Sequence, residues 1–227
     1  MRVFGLGIAI AAVLGVTGAC IGLERAHSLP EIPVATPTPA AKNAPAARET
    51  AVFAGGCFWG VEGVYEHVKG VVDVKSGYAG GTKETANYED VGSGTTGHAE
   101  SVQVTFDPSI VTYEQLLYIF FTVAHNPTEL NFQGPDHGPQ YRSAIFFAGD
   151  KQKQAAAAFI KALTDAKFFD KPIVTELKPL DAFYPAEEYH QDYMRLNPDE
   201  PYIVVNDRPK VDLLKHRFPE LFREDQK

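Results

Sequence analysis

Apolar and polar residues fall into three regimes along the chain. Residues 3–16 are almost wholly apolar, residues 29–49 are rich in proline and alanine, and from residue 50 short apolar runs alternate with turn signals. Residues 50–54 form a strand candidate that Gly55 and Gly56 break. Phe58, Val61, Val64, Tyr65 and Val68 then recur at helical spacing up to Gly70. Residues 71–78 read as a second strand, followed by a glycine-rich loop through Gly97. Residues 100–106 alternate cleanly and stop at Asp107-Pro108, the pattern of a half-buried strand.

Thr112 with Gln115 three residues on is a capping box. It predicts a helix carrying Leu116, Ile119, Phe120 and Val123 that ends near Asn126-Pro127. Residues 143–148 read as a strand, Asp150 as the cap of an alanine-rich helix through Lys167, and residues 172–177 as the last core strand. The tail predicts a short helix over 187–196, a strand over 202–205 and a helix from Val211. Strand–helix–strand occurs twice before these additions. That order predicts an α+β fold: a ferredoxin-like sandwich of two interleaved units, a mixed sheet with helices packed on it, plus a C-terminal extension.

The first apolar run ends before Cys20 and, at roughly 14–17 residues, suits a signal-peptide core better than a membrane span. Thr17-Gly18-Ala19-Cys20 resembles a lipoprotein cleavage box with Cys20 as the acylated residue, although Thr17 stands where an aliphatic is usual. An ordinary secretory signal, or an uncleaved anchor with an incidental cysteine, is the other reading. Residues 1–20 are therefore expected to be a signal peptide, and residues 21–49 a proline- and alanine-rich linker too poor in apolar side chains to fold. The expected location is the periplasm or cell envelope, with a membrane tether if Cys20 carries lipid.

Composition narrows the function. A net charge of −8 argues against a nucleic-acid partner, which needs clustered Lys and Arg. Cys20 and Cys57 cannot build a disulfide framework, and no Cys-x-x-Cys pair exists, so each needs its own explanation.

Cys57 sits where a strand ends in two glycines and a helix begins. There the unpaired backbone N–H groups and the helix dipole favour an anion, which predicts a lowered thiol pKa. Gly55 and Gly56 leave room for a ligand to approach the backbone. Phe58 and Trp59 follow directly; on a helix they diverge by ~100°, so both cannot enter the same core patch, and one is expected to wall the site. Glu100 shares its strand face with Val102, Val104 and Phe106. A carboxyl on an apolar face disfavours its charge, which predicts a protonated acid at neutral pH.

Gly56-Cys57-Phe58-Trp59-Gly60 with Glu62 resembles the active-site signature of the A-type peptide methionine sulfoxide reductases. The resemblance continues through 77–81, 87–91, 96–100, 134–138, 140–143, 183–187 and His190-Gln191, and covers the chain from about Ala51 to at least Pro198. It implies that residues 50–227 are a methionine sulfoxide reductase domain. The activity it implies is reduction of methionine S-sulfoxide, free or in oxidised peptides and proteins, as repair after oxidative stress. In that scheme Cys57 attacks sulfur, Glu100 supplies the proton, methionine leaves, and a sulfenic acid remains on Cys57. The resemblance assigns Phe58 and Trp59 to the pocket for the substrate's methyl group. It assigns Tyr88 and Tyr141 to hydrogen bonds with the sulfoxide oxygen, and Asp136 to the same polar network; taken singly, each of these three reads as structural, the tyrosines as packed rings with the hydroxyl tied off and Asp136, after Pro135, as a turn residue.

No cysteine follows Cys57, whereas many members of that family carry one or two C-terminal resolving cysteines. The tail from Pro201 to Asp207 resembles the single-cysteine branch. No bound cofactor or metal is expected; an external thiol, either a thioredoxin-like protein or a small thiol, would regenerate the enzyme, which is expected to be a monomer. A retained and unacylated Cys20 folding back to Cys57 is a further route. A papain-like cysteine peptidase with His190 as base lacks an upstream Gln or Asn for its oxyanion hole. A metal site on His98, Glu100, His125, His137 and His190 lacks ligand spacing. A non-enzymatic surface lipoprotein leaves Cys57 and Glu100 without a purpose.

Overall fold

The computed structural model describes residues 47–224. The apolar leader, the Cys20 box and almost all of the spacer lie outside the described residues. The six-stranded sheet contains β1 (Glu49–Ala54), β2 (Val71–Ala79), β3 (Ala99–Phe106), β6 (Ala144–Phe147), β7 (Glu176–Pro179) and β8 (Phe183–Pro185), in the order β7-β6-β1-β3-β2-β8. The four central strands are antiparallel neighbours, with β1 and β2 flanking β3. This is the split strand–helix–strand arrangement of a ferredoxin-like sandwich. β7 runs parallel to β6, and β8 antiparallel to β2, so the sheet is mixed. A separate two-stranded ribbon pairs β4 (Phe132–Gln133) with β5 (Asp136–His137).

The period-2 alternation sorts the sheet's two faces. Ala51, Phe53, Val102, Val104 and Phe106 join the main core with helices α1 (Phe58–Glu66), α3 (Tyr113–Ile119) and α4 (Asp150–Asp165). Val52, Ala54, Ala79, Ala99, Ala144 and Phe146 form a smaller cluster on the opposite face. Phe53 anchors the main core, its ring stacked on Tyr65 at 5.4 Å and Phe120 at 5.0 Å. The capping box of α3 is complete: the Thr112 hydroxyl accepts the Gln115 N–H at 3.2 Å, and the Gln115 amide oxygen accepts the Thr112 N–H at 2.9 Å. The helix then widens over residues Phe120–Ala124 and stops at His125, whose backbone is extended.

Several element boundaries differ from the sequence reading. α1 ends at Glu66, and Val68 instead bridges to Phe222 in the C-terminal tail. Gly149, not Asp150, is the N-cap of α4, which stops at Asp165 because Lys167 adopts a positive φ of 48°. The strand expected at 172–177 starts only at Glu176, since Val174 N–H donates to the Pro127 carbonyl and not to a sheet neighbour. It is also not the last strand: β8 follows it. The helix expected over 187–196 splits into a 3-10 turn at Glu188–His190 and a short α5 (Tyr193–Leu196), interrupted by Asp192 at φ 55°.

The largest revision is at residues 202–205. This run is no strand; Ile203–Asp207 forms a wide helical turn leading into α6 (Arg208–Arg217). Ile203 and Asp207 are buried while Val205 is 69% exposed, a four-residue period that overrides β-branched propensity. Leu214 of α6 enters the main core, so the tail packs into the same domain as the sheet.

Candidate active site

Cys57 is the N-cap residue of α1, as the glycine break predicts, with Gly56 at φ 91° making the reversal out of β1. Its side chain is nearly covered, at 8% exposure. Glu100, near the start of β3, is 3% exposed and faces the same core as Val102 and Val104. One of its oxygens, Oε2, accepts the backbone N–H of Phe58 at 3.1 Å, which brings the acid to the residue after the nucleophile. That N–H belongs to the first helical turn, where no intrahelical carbonyl is available.

Burial is the main force raising the Glu100 carboxyl to about 8, assisted by the Asp136 and Asp207 carboxylates and opposed by the Phe58 N–H. Glu100 therefore holds its proton at neutral pH, as its place on the apolar face predicts. Cys57 behaves differently from the sequence expectation. Burial pushes its thiol well above the usual range, and the Glu100 and Asp207 charges add to this; the Trp59 N–H and Lys210 only partly counter it. A helix dipole contributes about 0.3–1 kcal/mol, whereas burying an uncompensated charge costs several-fold more, so desolvation wins. The resting site carries two protons.

The aromatic pair divides as the helical angle requires. Phe58 is buried, its ring 5.9 Å from Tyr78 and 5.0 Å from His190. Trp59 is half-buried and stacks on Tyr193 at 3.8 Å with 9° between planes. Its indole N–H donates to His190 Nδ1 at 3.1 Å. His190, the base required by a peptidase reading, is thus engaged by the tryptophan.

The remaining candidates converge on the same place. Tyr88, at the start of α2 (Tyr88–Gly92), and Tyr141 both lie within electrostatic reach of Cys57 and Glu100, and burial raises both phenols. Both hydroxyls are consequently hydrogen-bond donors. Asp136 of β5 accepts the Tyr202 hydroxyl and shares with Cys57 a cavity of about 340 Å³, bounded also by Gln133, Asn206 and Lys210. All seven residues singled out in the sequence meet at one end of the sheet.

The sequence reading did not assign four further contributors. Tyr202, Asp207 and Lys210 come from the segment read as strand and its flank, and no local pattern in the sequence brings them to Cys57. Glu187 lies in a recognised motif without an assigned role; it accepts the Tyr78 hydroxyl at 2.9 Å and the Tyr88 N–H at 3.0 Å, fixing the start of α2. Among the described residues no three His, Cys, Asp or Glu group as metal ligands. His98 and His125 are engaged structurally, His98 with Gly81 N–H and Thr82 O, His125 with Phe120 O and the Ser143 hydroxyl.

A covered thiol beside a protonated carboxyl, walled by aromatics and phenol donors, is equipped for thiol-dependent reduction of an oxidised group. Residues 49–221 match the family described as peptide methionine sulfoxide reductase. A peptide methionine sulfoxide reductase MsrA 2 from Mesorhizobium japonicum is 62% identical over 176 residues, covering 78% of this chain and 90% of that protein. A Synechocystis protein of the same name is 53% identical over 170 residues, 75% and 79% of the two chains. Reduced Mxr1 from Saccharomyces cerevisiae superposes with a TM-score of 0.62 at 37% identity, over 69% of this chain and 89% of that one. Methionine sulfoxide reductase A of Corynebacterium diphtheriae gives 0.59 at 33% identity, over 75% and 85%. The chain belongs to the peptide methionine sulfoxide reductase family.

Proposed function

We propose that this enzyme reduces methionine S-sulfoxide, free or within oxidised proteins, to methionine, with Cys57 as nucleophile and Glu100 as general acid. The observation that carries the reading is the Glu100 carboxyl, raised to about 8 and held against the Phe58 N–H beside Cys57. A sulfoxide oxygen leaves sulfur only once protonated, and an acid still protonated at neutral pH supplies that proton.

The sulfur of Cys57 attacks the sulfoxide sulfur while Glu100 gives its proton to the oxygen. The thiol proton passes to the vacated Glu100 carboxylate. The hydroxyl transfers to Cys57 as the old S–O bond and the newly formed S–S bond both break, leaving Cys57–S–OH and the methionine thioether; sulfur of the substrate is reduced and that of Cys57 oxidised. Trp59 and Phe58 take the substrate's methyl group, and Tyr88 and Tyr141 donate to its oxygen, with Asp136 and Tyr202 completing the polar side.

Cys57 is free and is the single cysteine among the described residues. An outside thiol, from a thioredoxin-like protein or a small molecule, converts the sulfenic acid to a mixed disulfide with release of water. A second thiol frees Cys57. Residues 1–20 serve as an export signal, residues 21–49 as a spacer, and acylation of Cys20 would tether the enzyme to the cell envelope. Mass spectrometry of Cys20 in the native protein tests the tether; a mature chain without lipid or without Cys20 removes it. The reductase reading is tested by Cys57→Ser, which should abolish turnover of a methionine sulfoxide peptide with an unchanged circular dichroism spectrum. Turnover retained in that variant refutes the mechanism.

A further inference from the structure

Asp207 is fully buried, at 0% exposure, and an isolated buried carboxylate is costly enough to require a reason. Its Oδ1 accepts Lys210 Nζ at 3.0 Å, while Oδ2 has no hydrogen-bond partner. The pair is pressed onto the first turn of α1. A Cβ at Gly60 would lie 2.1 Å from Asp207 Oδ1 and 2.8 Å from Lys210 Nζ, so only glycine admits this approach. Gly60 stands three residues beyond Cys57, and the Lys210 side chain helps bound the cavity on which Cys57 opens.

Chain segments far apart in sequence thus set a charge pair, its carboxylate buried and its ammonium half-buried, against the turn that follows the nucleophile. The Asp207 charge bears on both Cys57 and Glu100, raising each, whereas Lys210 lowers Cys57. Cys57 also faces Glu100 from β3, and the phenols of Tyr88, Tyr141 and Tyr202 feel its charge. Asp136 acts on Glu100 and Asp207 from β5. His125, also on the cavity wall, is held neutral by burial at about 3. Among the groups acting on the thiol, Lys210 is the cation, and Asp207 binds it.

We propose that Asp207 and Lys210, packed against Gly60 in the first turn after Cys57, are positioning residues that set the charge beside the nucleophile: the Asp207 carboxylate holds the thiol and the Glu100 acid neutral until substrate enters, and Lys210, by binding Asp207, limits that hold. The role rests on the reductase reading above. Ionising either group in the empty site would add negative charge beside Asp207, so the resting enzyme keeps its acid loaded and its thiol unreactive toward adventitious electrophiles. A bound sulfoxide accepts both: the proton goes to its oxygen, and the electron pair of sulfur to its sulfur.

The test is the pH dependence of Cys57 alkylation by iodoacetamide in the full chain, followed by intact mass, because it requires no sulfoxide turnover. Asp207→Asn should raise alkylation at about pH 8 roughly tenfold, one pKa unit of thiolate population. Lys210→Gln, at a side chain 24% exposed, should move the profile the opposite way and slow alkylation at least threefold. Opposite displacements establish the pair. An unchanged profile in Lys210→Gln, or displacement of both folded variants in the same direction, overturns the proposal; if Asp207→Asn does not fold, Lys210→Gln alone decides. Failure of the reductase reading would appear separately, as absence of sulfoxide turnover in the parent enzyme.

Discussion

Replacing Glu100 by Gln keeps an oxygen to accept the Phe58 N–H but removes the proton. In the parent, displacement of the carboxyl from 4.5 to about 8 is roughly 5 kcal/mol in favour of the neutral acid. Glu100 is 3% exposed, so solvent screening takes little from that figure. The acid is then about nine-tenths protonated at pH 7 and about one-tenth at pH 9, and single-turnover reduction of a sulfoxide peptide should fall about tenfold across that window. The variant should react about 10²- to 10⁴-fold more slowly, with a residual rate that rises with pH as Cys57 ionises. Stability follows the same ionisation. A carboxyl raised by folding contributes fully below its unfolded value of 4.5, and the contribution is lost as pH climbs through about 8. The parent should therefore lose more stability than the variant between about pH 5 and pH 9. Quenched-flow mass spectrometry of the peptide gives the rates, and urea titrations give the stabilities. A parent rate that is flat or rising from pH 7 to 9, or a variant with the parent's alkaline fall, would refute the assignment.

Two further perturbations probe the supports of the site. Burial raises Glu62 of α1 to about 7, so its contribution to stability is present below 4.5 and lost as pH rises through neutrality. Glu62→Gln should gain about 1–3 kcal/mol over the parent at pH 9 relative to pH 5 in urea titrations; equal gains at both pH values contradict this. Tyr193→Ala removes the ring stacked 3.8 Å from Trp59, a contact worth about 0.5–1.5 kcal/mol. It should raise KM for the sulfoxide several-fold with a smaller change in kcat, and an unchanged KM would remove Trp59 from the substrate wall.

The parts legible in sequence were those whose pattern is local. The alternation of residues 100–106, the Thr112–Gln115 box and the glycine break before Cys57 each carry their signal within a few residues, and each stands as read. The 202–205 run misleads because its β-branched composition is local, whereas the burial of Ile203 and Asp207 comes from the assembled domain, Asp207 packing against Gly60 of α1. Tyr202, Asp207 and Lys210 reach Cys57 from about one and a half hundred residues downstream, where no spacing rule applies. The thiol departs from the helix-terminus expectation for a related reason. A helix N-terminus is visible in sequence, but the depth at which it is buried is a property of the assembled domain, and here depth outweighs the dipole.

In the proposed mechanism oxygen passes from substrate to Cys57. Intact mass of the protein, taken after exposure to a methionine S-sulfoxide peptide with no reductant present, measures this directly. The prediction is one added oxygen, about +16 Da, located on Cys57, with one equivalent of methionine peptide released. A chain of unchanged mass alongside released methionine peptide, or added oxygen on a residue other than Cys57, would contradict it.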